Sequence, residues 1–258
     1  MIDFLHSLPN VVIGLLLITL GLTLSTAIPF YIRWKYNLNP NEHLAKGAEE
    51  GFKLFTSITL LLIAFSLVRV QGDHRNVEDL VSRESALIFK LNRSLAAFNG
   101  GHSAELQGDL KDYANSIVSD EWPLMAKGER SEKTSNLLID ITQGIRLLDP
   151  KTPVQQMARS EIVTTLNQLS DVREARLSAS RLQLPSYLWQ ALSVCVVLLF
   201  GFGWLQNPLP KMVAYVGGVT IGVSVLLTLV IALEGLFVGE SQVKPDAIVF
   251  AVAMFPAF

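Results

Sequence analysis

LFTSITLLLIAFSLV, residues 54–68, is the shortest of four long runs in this chain that contain no Asp, Glu, Lys or Arg, and the count of membrane spans turns on it. A helix that crosses a bilayer needs about 20 apolar residues. The run reaches that length once Gly51, Phe52 and Val70 are added, because Lys53 and Arg69 can carry their charged tips to the two interfaces while their stems stay in the apolar layer. The other three runs, residues 4–32, 182–210 and 212–233, are long enough as they stand. Four spans, paired around a charged middle, predict an all-α membrane protein.

The first run is expected to stay in the mature chain. Asp3 stands where a signal peptide carries a basic cluster, the run exceeds a signal core, and Pro29-Phe30-Tyr31 lacks the small residues of a cleavage site. Composition agrees with a bilayer environment: 50% of the residues are hydrophobic, and the net charge of -2 gives no global attraction for nucleic acid. Cys195, the single cysteine, lies in the third run and leaves no intrachain disulfide and no multi-cysteine zinc site.

Fifteen of the 21 Lys and Arg residues fall from Arg69 to Arg181. That stretch is read as a hydrated helical domain, residues 71–181, inserted between the second and third spans. Residues 1–70 then hold the first two spans, and residues 182–258 the last two with a short C-terminal segment. Leu80, Glu84, Leu87, Leu91, Ser94 and Phe98 step by four and three, with Val81, Ile88 and Leu95 widening the stripe, as one face of an amphipathic helix requires. Gly100-Gly101 ends that helix. Leu106, Leu110, Tyr113 and Ile117 repeat the spacing up to Pro123, which is expected to close the second helix and hold Trp122 extended. A third helix runs from about Thr134 to Leu148 on Leu138, Ile141 and Ile145. A fourth starts near Pro153 and uses Met157, Leu166, Leu169 and Leu177. No alternating strand pattern occurs.

Phosphate loops, zinc signatures, nucleophile elbows and calcium-binding loops are absent from the sequence. His6, His43, His74 and His102 are scattered, and the pairings Asp73-His74 and His102 with Glu105 offer two ligands each, so no metal site and no cofactor are expected. The spans hold no internal charge that could relay protons; Glu234 closes the fourth span. Gly21-xxx-Ser25, Gly218-xxx-Gly222 and Gly235-xxx-Gly239 would permit close helix approach. In the second span Phe55, Thr59, Leu62 and Ser66 step by four, three and four, alternating apolar and hydroxyl groups. That strip reads either as a helix-packing face or as the lining of a pore in an oligomer, where hydroxyl donors meet a weakly hydrated anion.

Tyr113, then Glu121-Trp122-Pro123, then Arg173-xx-Arg176 and Leu188-Trp189 form an ordered series that resembles the bacterial bestrophin-like membrane family. The likeness continues past the fourth span, where Glu234, Phe237, Gly239 and Pro245 match, while Leu236 stands in place of the family's proline. The resemblance implies a pentameric anion channel with a large cytosolic helical region between the second and third spans, both termini on the same side, in the bacterial plasma membrane. Charge alone does not orient the chain: Arg33, Lys35, Lys46, Lys53 and Lys211 in the short loops balance Arg69, Arg75, Arg83, Arg173, Arg176 and Arg181 on the domain side. Glu121, Trp122 and Pro123 read as a structural corner with an arginine paired to Glu121. Arg173 and Arg176 share a helix face and either supply that partner or, left unpaired, draw anions or acidic lipid headgroups. Two functions remain open on these residues: a passive channel for small anions, and a non-conducting membrane-anchored protein that acts through its helical domain. An enzyme is not expected.

Overall fold

The computed structural model describes residues 8–36, 41–100, 102–207 and 209–255; Asp3, His6, Gly101 and the first residues of the opening run lie outside them. All regular structure among the described residues is helical. In chain order the helices are α1 (Asn10–Tyr36, with a π-turn at Thr23–Ala27), α2 (Glu42–Phe98), α3 (Ser103–Ser116), α4 (Trp122–Met125), α5 (Glu132–Arg146), α6 (Pro153–Ala179), α7 (Ser186–Leu205), α8 (Pro210–Glu234) and α9 (Asp246–Ala253). Four of them, α1, α2, α7 and α8, are long and apolar enough to cross a bilayer. The second span and the first amphipathic helix, read separately in the sequence, are one continuous helix of 57 residues. Gly72 does not interrupt it.

Two compact units divide the chain. The first comprises the described residues up to Gly72 with Gln183–Ser241, the second Asp73–Leu182 with the described residues from Gln242 onward. The segment after the fourth span therefore belongs to the second unit.

In the first unit Phe52, Ile63, Val70, Leu192, Leu199, Val216, Val223 and Val230 form the buried core. Phe55 stacks on Phe202 at 5.3 Å, and Phe52 meets Tyr215 edge-on at 5.5 Å. Small residues bring α1 against α8: a Cβ on Gly21 would lie 2.8 Å from the Thr220 methyl, Ser25 and Thr220 hydroxyls meet at 3.1 Å, and Ser224 donates to the Leu17 carbonyl. Gly218 and Gly222 point away, with no neighbour within 4 Å. Gly235 and Gly239 lie past the end of α8, where Gly239 turns the chain at φ 88°, so that pair does not form a stripe on a helix.

The second unit buries most of the stripes its periodicity predicts, although Leu80 and Leu87 of α2 are only half-buried. Val81, Ile88, Leu91, Leu95 and Phe98 of α2, Leu106, Leu110 and Tyr113 of α3, Leu138, Ile141 and Ile145 of α5, and Leu166, Leu169 and Leu177 of α6 are all buried. Met157 instead stands exposed, one turn from the start of α6. Ser131 caps α5 by accepting from the Thr134 N–H, and Thr152 caps α6 with Pro153 in its first turn.

Pro123 does not close a helix, and Trp122 is not extended. A π-turn at Ile117–Glu121 leads straight into α4, with Trp122 at φ -56° and ψ -47°. The wider turn makes room for a ring that would otherwise press on the carbonyl four residues back. Burial of Trp122 and ligation of Glu121 outweigh the usual bias against helical geometry before proline.

Candidate functional site

Four charged side chains with almost no exposed surface meet in the core of the second unit: Glu84 from α2, Glu121 from the π-turn, and Arg173 and Arg176 from α6. Three residues along a helix bring both guanidiniums to one face. Arg176 grips Glu84 through two bonds, Nε to Oε2 at 2.5 Å and Nη2 to Oε1 at 3.0 Å, and reaches Glu121 Oε2 at 2.9 Å. Arg173 holds Glu121 in the same forked way, at 3.2 and 2.5 Å, and also donates to the Ser135 hydroxyl at 2.9 Å. The Arg176 guanidinium lies 5.4 Å from the Trp122 ring centre and contacts Met125 Sδ. Trp122 in turn donates its indole N–H to the Val243 carbonyl at 3.3 Å, fastening the segment before α9.

Two carboxylates and two guanidiniums balance, so the cluster carries no net charge. Burial pushes the Glu121 carboxyl up, but bonds and charge from Arg173 and Arg176 outweigh it and hold Glu121 below its ordinary value. Burial works against the charge on both arginines as well, and the carboxylates overturn it: Arg176 is raised chiefly by Glu84, Arg173 by Glu121. Tyr113 is raised well above its ordinary value, by burial first and by the Glu84 charge next, and its hydroxyl has no partner among the described residues. The pairing expected for Glu121 is therefore present, with both arginines engaged. Arg173 and Arg176 are not open to draw anions or lipid headgroups, because each is enclosed and already neutralised. Glu84 was missed as a member; its signal was that it is the one charged residue on an α2 stripe made otherwise of apolar residues and Ser94.

In the first unit the strip Phe55, Thr59, Leu62 and Ser66 turns toward its own chain. Thr59 and Ser66 have no exposed surface, and Phe55 and Leu62 are half-buried against the core. The two hydroxyls donate back to the Phe55 and Leu62 carbonyls, at 2.6 and 2.9 Å, so they satisfy themselves within the helix. The face of α2 left uncovered is apolar instead: Leu54, Leu61, Phe65 and Val68 are 58, 57, 63 and 69% exposed.

Glu234, at the end of α8, is buried and accepts from the Leu184 N–H at 3.0 Å and the Trp189 indole at 3.3 Å. This joins two of the family-like positions, Trp189 and Glu234. The Leu236 N–H donates to the Glu234 carbonyl at 2.9 Å, a bond the family's proline could not give, which is how the turn closes without it. Among the described residues no group of three or more His, Cys, Asp or Glu side chains is placed to hold a metal ion.

A family model for the Bestrophin-like domain matches residues 52–248. A solved crystal structure of a membrane protein is similar with a TM-score of 0.64 at 12% identity, over 93% of this chain and 95% of that one, which is a likeness of fold. The search of curated proteins finds no match. The matched stretch holds Glu84, Glu121, Arg173, Arg176, Trp189 and Glu234, the residues that the two units tie together internally, and on it the chain belongs to the bestrophin-like family.

Proposed function

We propose that the protein is an oligomeric channel for passive permeation of small anions, lined by the uncovered face of the second span. One observation carries this reading: the apolar half of α2 has a packed side, Phe52, Thr59, Ile63, Ser66 and Val70, and an opposite side, Leu54, Leu61, Phe65 and Val68, that its own chain leaves bare. Those four residues step by seven, four and three along the helix, so they form one stripe. A ring of such stripes makes an apolar constriction that gates by dewetting, and a weakly hydrated anion loses least in passing it. The exposed Gly218 and Gly222 on α8 offer close contact to a neighbouring copy. By family likeness the ring is a pentamer in a bacterial plasma membrane, the second unit is an inserted cytosolic domain, and both termini share its side.

Chloride flux into liposomes bearing the purified protein tests this. Leu61→Ser and Phe65→Ser are expected to raise flux by easing hydration of the constriction, and Leu62→Ser, on the packed side, to leave the open-pore rate alone. Flux equal to that of empty liposomes for every variant, or only monomers in native mass spectrometry, overturns the channel.

A second reading, a non-conducting anchored interaction protein, is favoured by an apolar cleft in the second unit. There Phe89, Phe250 and Met254 stand exposed around a hollow of 300 Å³. Capture of a soluble partner by the wild-type protein, lost in Phe250→Asp, together with absent flux, would select it.

A further inference from the structure

A small cavity with a mixed lining of polar and apolar groups lies in the first unit, where the last turns of α1 meet the end of α7 and the start of α8. Ser25, Thr26, Arg33, Gln206, Asn207 and Val216 are among its lining. Its volume is 30 Å³, enough for about two waters or one monatomic ion. The Arg33 guanidinium donates to the Gln206 backbone carbonyl at 2.6 Å and to that of Trp204, a cation set on the free carbonyls at the end of α7. No carboxylate pairs with Arg33 among the described residues. The Trp204 indole donates to the Leu24 carbonyl at 2.7 Å, tying the same helix end to the π-turn of α1 that carries Ser25 and Thr26 into the cavity.

Helix capping accounts for Arg33 but not for its neighbour. The Gln206 side chain is only 3% exposed, and neither its amide nitrogen nor its amide oxygen has a partner among the described residues. A buried, unbonded amide beside an unbalanced cation is costly unless something occupies the space between them. We propose that this cavity binds a small monovalent anion, of halide or nitrate size, held by charge from Arg33 and by an N–H of the Gln206 amide. The cation selects against a metal ion, and the volume selects against a lipid phosphate group. The site stands apart from the proposed permeation stripe: none of Leu54, Leu61, Phe65 or Val68 lines it.

Thermal unfolding of the full chain in detergent tests the proposal, with sodium chloride or sodium nitrate exchanged against sodium gluconate at constant ionic strength. The expected result is a saturable rise in Tm with chloride and with nitrate, as a ligand held only by the folded state produces. Gln206→Leu, which keeps the backbone carbonyls that Arg33 bonds, should weaken the apparent affinity by about tenfold or more, the loss of one hydrogen bond to a charged group. Arg33→Lys, which keeps the charge and loses the fork, should weaken it less. Phe65→Ser should leave it unchanged, which separates this site from anions in the pore. Equal Tm values in chloride and gluconate overturn the proposal, as does a Gln206→Leu variant that responds to chloride like the parent. Protection by short-chain phosphatidylglycerol but not by chloride would assign the cavity to a lipid headgroup and overturn it equally.

Discussion

The second span and the core of the second unit bury polar side chains by opposite means. In the first, Thr59 and Ser66 hide hydroxyls by bonding the carbonyl four residues back on their own helix, a solution that needs no partner and specifies none. In the second, Glu84, Glu121, Arg173 and Arg176 come from three separate segments, and each depends on the others for its charge to be tolerable. Equal burial therefore carries unequal consequence. A hydroxyl bonded to its own helix can be lost with little effect, whereas one member of the charge cluster cannot leave without stranding the rest.

Removing the most enclosed cation tests this contrast hardest. Arg176→Ala strands Glu84 wholly and Glu121 in part, and unfolding of the second unit should come at a free energy lower by about 3–5 kcal/mol, read as a fall in Tm and in yield. Arg176→Ala in a Glu84→Gln background should recover part of that loss; no recovery would mean that packing of the guanidinium against Trp122, rather than charge balance, is what matters.

Acid should find the same weakness. Because the Glu121 carboxyl is held below its ordinary 4.5 in the folded chain, its contribution is fully present above that value and is lost as pH falls through the lower, folded one. Tryptophan fluorescence during thermal scans should show a second-unit Tm that is flat from about pH 8 to 5 and falls only under stronger acid. A decline beginning near neutrality would contradict the pairing geometry.

Tyr113 acts at the opposite end of the pH range. Its folded value lies well above the ordinary 10.0, so its contribution is present below 10.0 and drains away as pH rises beyond it. Tyr113→Phe removes a buried hydroxyl that has no partner among the described residues. It is expected to keep or slightly raise stability at neutral pH and to blunt the alkaline loss.

The smallest effect belongs to the first unit. Thr59→Val should change stability by less than about 1 kcal/mol and leave chloride flux untouched, although Thr59 is as buried as Arg176. A large loss there would mean that its hydroxyl serves something beyond its own helix.

Much of the second unit was legible in the chain. The stripes on α2, α3, α5 and α6 follow a period of 3.6, and Pro153 stands in the first turn of α6, near where that helix was expected to start. Where local reasoning failed, a distant contact had overruled a local bias: Pro123 would end a helix by itself, yet Arg173 and Arg176 hold Glu121 in the turn before it. The second span misled in another way. Hydroxyl spacing drew attention to Phe55, Thr59, Leu62 and Ser66, but hydroxyls that bond their own helix suit a packed side as well as a pore, so the spacing did not say which of the two the strip serves.

Sequence alone determined the number of the long apolar helices, the helical character of the charged middle, and the ordered residues that mark the family, since each depends on composition, period or identity along the chain. Tertiary structure decided which carboxylate answers which arginine, which face of the second span is bare, and that Gln206 is enclosed beside Arg33. Those are meetings between residues 52 to 173 positions apart, whose energies exist only once the segments are packed, and no local pattern encodes them.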